Sequence, residues 1–203
     1  MISEIVSWAA VALALVASAV ILINHDWRAN LGALAAQYLA VFWLVTRHLP
    51  FAMGSAKLIT GWLVVAILGM TRLNLPRQPE AEGDTFYPRG AAFRLVLIGI
   101  AALAALGSAP RIEAAIPGMG LPVITGGLLL IGAGAGHLSV TSDLMRITMG
   151  LLTLLSGFEI IYAAVESAIL VTGLLSVINL GMGMLGAYLL TAGAQQPAGE
   201  DEP

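Results

Sequence analysis

The chain has 203 residues, of which 59% are hydrophobic and only 10% charged, with a mean hydropathy of +0.92. A soluble domain carries about 25% charged residues, so nine basic and twelve acidic side chains cannot coat a water-facing surface of this size. A net charge of −3 excludes the basic face of a nucleic-acid binder, and the absence of cysteine excludes disulfides, iron–sulfur clusters, thiolate zinc sites and a cysteine nucleophile.

A membrane-spanning helix needs about 20 largely apolar residues. Seven segments meet this, at about 4–23, 31–49, 51–73, 92–109, 119–138, 144–164 and 167–191, which predicts an all-α polytopic transmembrane bundle. The first begins at Met1-Ile-Ser-Glu4 without a positive leader region, so it reads as a retained helix despite Ala17-Ser-Ala19. Asn24 to Asn30 is a polar turn, and Pro50 and Pro110 are predicted helix stops. Residues 74–91, with Pro76, Pro79 and Pro88, form a cytoplasmic loop. Residues 92–118 supply a linking helix and turn, and Pro117 and Pro122 bracket the start of the fifth span. The sixth and seventh spans meet in a tight hairpin near Glu166, and residues 193–203 are an acidic tail expected to be disordered. Arg28, Arg72, Arg77, Arg89, Arg94 and Arg146 fall on one side against Arg47, Lys57 and Arg111 on the other. That bias predicts an amino terminus outside and a carboxyl terminus in the cytoplasm of a bacterial or archaeal-type plasma membrane.

Residues 55–70 align without a gap on residues 167–182, at an offset of 112, with ten of sixteen positions identical. The same offset lays His25 on His137. A three-helix bundle (1–73), the single linking helix and a second three-helix bundle (119–192) would then be parallel rather than inverted repeats. Glycines at 126, 127, 132, 134, 136, 181, 183 and 186 point to close helix packing. Gly132-x-Gly134-x-Gly136 lacks a following Lys-Ser/Thr and lies within a span, so it is no phosphate loop.

Ionisable groups inside a span are costly and are functional candidates by default. Glu159 is flanked by apolar residues, and Glu166 follows seven residues later, on the same face if the helix continues. Lys57 lies seven residues into the third span and Asn179 in the middle of the seventh. A carboxylate in an apolar interior gains proton affinity and a nearby cation lowers it again, which is what a relay requires. Each residue also has a plainer reading. Glu159 would be the structural partner of a basic residue, Glu166 an interfacial turn residue, Lys57 a snorkelling side chain and Asn179 interhelical glue. His25, His48 and His137 lie near span ends, where solvated or headgroup-contacting side chains are expected. No metal-ligand spacing and no Ser–His pair within one span suggests an intramembrane enzyme.

The stretch Ser156-Gly-Phe-Glu-Ile-Ile-Tyr-Ala-Ala-Val165 resembles the Gly-Leu-Glu-Ile-Met-Ile-Asn-Ala segment of the K subunit of respiratory complex I. That family has relatives in the C subunit of multisubunit cation/proton antiporters and the E subunit of membrane-bound hydrogenases. The resemblance covers about residues 119–192 and implies a three-helix bundle whose second-span glutamate, here Glu159, belongs to a proton pathway. The family's third-span glutamate falls at or near Asn179, so the pathway would be completed by Glu166, Lys57 or another subunit. The expectation is a non-catalytic membrane subunit of an energy-coupling complex. It would be embedded in the lipid bilayer beside antiporter-like subunits, would bind no cofactor, and would leave any redox chemistry to its partners. The rival expectations are a stand-alone small transporter or channel and a purely structural membrane subunit.

Overall fold

The computed structural model describes residues 2–75, 90–166 and 168–195. Met1, residues 76–89 of the predicted cytoplasmic loop, Ser167 at the head of the aligned stretch, and residues 196–203 of the predicted acidic tail lie outside the described residues. All regular structure among those described is helical: α1 (Ile2–Ile23), α2 (Trp27–Val45), α3 (Phe51–Asn74), α4 (Ala91–Ala115), α5 (Leu121–Ser139), α6 (Leu144–Val165) and α7 (Ile169–Gln195). Six of the seven are long and apolar enough to cross a membrane, and the chain is an integral membrane protein. The exception is α2, where Asn30 and Gln37 interrupt the apolar run, and both are turned into the bundle.

Local chemistry explains most of the boundaries. Asp26 accepts a hydrogen bond from the Arg28 N–H at 3.0 Å and Asp143 from the Arg146 N–H at 2.8 Å, which caps the starts of α2 and α6. Pro50 immediately precedes α3, and Pro122 sits in the first turn of α5, where its missing N–H costs nothing. Before α5 the chain turns through Gly118 and Gly120 at φ 98° and 84°, a region that favours glycine. The Glu113 carboxylate holds this turn by accepting from both glycine N–H groups, at 3.1 and 2.9 Å. Pro110 does not stop its helix: α4 continues to Ala115. A proline within a helix removes one backbone bond, whereas abandoning the helix there would strip several more groups of partners.

The helices alternate in direction. One end of the bundle, here the amino-terminal face, gathers Ser3, Arg47, His48, Glu113 and Leu121 around a cavity of about 660 Å³. The opposite, carboxyl-terminal face gathers His25, Trp27, Arg72, Asp143, Leu144 and Gly193 around a cavity of about 420 Å³. Helices α5 and α6 pack with backbones nearly touching: a Cβ on Gly157 would fall 2.6 Å from the Gly127 carbonyl oxygen, and one on Gly134 would fall 2.6 Å from the Leu154 nitrogen. Helices related by the offset of 112 also touch, α1 with α5, α2 with α6 and α3 with α7. Helix α4 lies at the edge, against α5 and α1.

Candidate functional site

Lys57 reaches across from α3 to Glu159 on α6, with Nζ and Oε1 3.0 Å apart and the side chains only 4% and 2% exposed. Placing two charges this far from water is expensive, and their mutual attraction is what makes it tolerable. Lys57 therefore does not snorkel to the surface. Its side chain enters where α2, α3, α6 and α7 converge. Gly61, one turn further along α3, lets that helix lie against the Tyr38 ring, where a Cβ would stand 2.4 Å from the ring. Gly183 does the same for α7 against Val64.

Asn179 is buried in the same region, where it accepts a hydrogen bond from the Tyr38 hydroxyl at 2.9 Å. Ser156, one turn before Glu159 on α6, is buried with its hydroxyl bonded back to the Leu152 carbonyl at 2.8 Å. Beside Tyr38, the Gln37 amide donates to Thr153 Oγ1 at 3.1 Å and its carbonyl accepts from Ser18 at 3.5 Å. The structure thus brings together Lys57, Glu159 and Asn179 of the four sequence candidates. Glu166 is not among them. Helix α6 ends at Val165, and Glu166 adopts an extended conformation at its C-cap, exposed at the amino-terminal face.

Tyr38, Gln37, Thr153 and Ser18 were not singled out from sequence. The available signal was α2 itself, the least apolar span, in which Asn30 and Gln37 recur seven residues apart on one face. The histidines also divide. His25 is exposed, and the His48 Nε2 bonds with the Met119 carbonyl at 2.8 Å. His137, contrary to a solvated span end, is buried, because α6 closes over it at Gly150. Nearby, Arg94 donates to the Leu22 carbonyl at 2.9 Å and Arg146 donates to the Asn24 carbonyl. These guanidinium groups satisfy carbonyls at the end of α1, where cations are favoured by the helix dipole.

Among the described residues, no three His, Asp or Glu side chains gather as a metal site. The centre can therefore be described as one buried ion pair, a Tyr–Asn hydrogen bond and a few hydroxyl and amide groups. No known family model, curated protein or solved structure matches the chain.

Proposed function

We propose that this protein moves protons as an integral membrane subunit of an energy-coupling complex, with Lys57 and Glu159 as the exchanging pair. The observation that carries the reading is the Lys57–Glu159 contact, 3.0 Å long and sealed from water inside a membrane bundle. A carboxylate that loses its counter-charge in an apolar interior is driven to take up a proton, and it gives the proton back when the cation returns. Lys57 has a long flexible stem and Glu159 lies on a different helix, so a small relative movement of α3 and α6 suffices for the exchange. The surroundings favour protons over metal cations. A sodium or calcium ion needs a shell of several oxygens, whereas the single carboxylate at this centre is already occupied by an ammonium group. Membership of a complex rests on the resemblance of Ser156–Val165 to the complex I K subunit and its antiporter and hydrogenase relatives.

One observation favours a static alternative. Glycine contacts hold α3 against α2 and α7 at distances that leave little slack, as in a structural subunit whose ion pair is a clamp. The deciding experiment is Glu159→Gln in native membrane vesicles, with proton movement followed by a pH-sensitive dye. Capture through a carboxyl-terminal tag would report assembly in the same membranes. Loss of proton movement with the same captured subunits supports the relay, and unchanged movement assigns the pair to structure. Capture of this chain alone, without antiporter-like subunits, would replace the complex with a stand-alone transporter.

A further inference from the structure

On α2, α3, α6 and α7, most of the buried polar groups around the pair lie on one side of it. Helices α2 and α6 both start at the carboxyl-terminal face, where Asn30 and Met149 line the 420 Å³ cavity. Asn30 is itself buried, with its Oδ1 lacking a hydrogen-bond partner. Gln37 follows Asn30 by seven residues, about 10 Å along the same face of α2. Thr153 follows Met149 by four residues on α6 and accepts from Gln37 at 3.1 Å. Ser156 and then Glu159 come at further steps of three, and all of these side chains are buried. The polar groups therefore descend from the cavity to the ion pair.

Towards the amino-terminal face the composition changes. Gly54 is packed against Phe42 and Thr46, and Phe42 meets the Phe51 ring edge-on at 5.5 Å. Of the buried polar side chains on α2, α3, α6 and α7, Thr172 alone lies beyond the pair in this direction. The cavity at that face is lined by α1, α4 and α5 residues such as Glu4, Glu113 and Pro122, and by no residue of α3, α6 or α7.

We propose that the Lys57–Glu159 pair exchanges protons with water through the carboxyl-terminal face only, along the Asn30–Gln37–Thr153–Ser156 column. This rests on the reading of the pair as a relay, but it predicts an accessibility that can be measured without any transport assay.

The absence of cysteine makes the test direct. Thr153→Cys, Ser156→Cys and Thr172→Cys are near-isosteric and replace side chains that are all buried in this structure. Each is reconstituted in sealed vesicles and treated from one face at a time with a small membrane-impermeant methanethiosulfonate, and labelling is read as a mass shift. His25→Cys and Glu166→Cys mark the two faces.

The expected result is labelling of Thr153→Cys and Ser156→Cys from the His25 side only, with Thr172→Cys unlabelled from that side. Labelling of Ser156→Cys from the Glu166 side would overturn the proposal. So would failure of both column positions to label while the face markers do. The relay reading fails separately, if Glu159→Gln leaves proton movement intact whatever the labelling pattern. Gln37→Leu adds a variant outside the pair: it is expected to abolish proton movement while the assembly is still captured, and unchanged movement would remove Gln37 from the path.

Discussion

Removing one partner of a buried ion pair costs more than removing both, because the survivor is left without its counter-charge. Lys57→Met is therefore expected to destabilise the protein by about 3–5 kcal/mol, and Lys57→Met with Glu159→Gln to recover most of that loss. Unfolding in detergent measures both, and strictly additive losses would mean that the two side chains do not interact in solution. Tyr38→Phe removes the donor to Asn179 and is expected to cost about 1 kcal/mol, with no further loss when Asn179 is already leucine. At this scale the sequence is legible where a residue type is rare in lipid. Lys57, Glu159 and Asn179 stand out from their apolar neighbours, and the structure places all three together. Tyr38, Thr153 and Ser18 do not stand out, because serine, threonine and tyrosine are ordinary in membrane helices and only tertiary facing reveals them. Glu166 was conditional on α6 continuing, and a carboxylate at a hairpin finds water more easily than it finds Lys57.

At the level of helices, the close approach of α5 and α6 depends on glycine. Gly157→Leu would drive a side chain into the Gly127 carbonyl and the Ile131 nitrogen and is expected to lower stability by about 1–3 kcal/mol or more. Gly173 faces open space, so Gly173→Ala is expected to be neutral or to add up to about 1 kcal/mol through helix propensity. The contrast between them in one melting assay tests whether the packing is as tight as described. Six helices were legible from apolar run length, because a lipid-spanning segment must satisfy its backbone internally and hence continues until the run ends; α2, read from sequence as a span over 31–49, runs instead over Trp27–Val45 and falls short of the others in apolar length. Pro110 misled for the same reason, since the local cost of a proline is smaller than the cost of unravelling the helix around it. Helix α2 is the weakest of the seven by composition, and that weakness is where two members of the polar column sit.

For the whole molecule, the Lys/Arg bias read from the sequence leads us to expect the carboxyl-terminal face in the cytoplasm. A tag after the last residue should then be protected from protease in intact spheroplasts, while an amino-terminal tag is cleaved; the reverse pattern would invert the topology. The same inversion would move the proposed water access of the ion pair to the other compartment. The separation of Lys57 and Glu159 along the chain also bears on biosynthesis. Half the polypeptide lies between them, so α3 leaves the ribosome and must enter lipid with a lone lysine, long before α6 exists to neutralise it. An unpaired lysine costs about 2.5–3.5 kcal/mol at a helix centre; Lys57, the seventh residue of α3, bears part of that cost, and we expect α3 to be secured fully only when α6 arrives. Nascent chains ending after α5 should accordingly hold α3 poorly in the membrane, and Lys57→Leu in the same truncation should restore it.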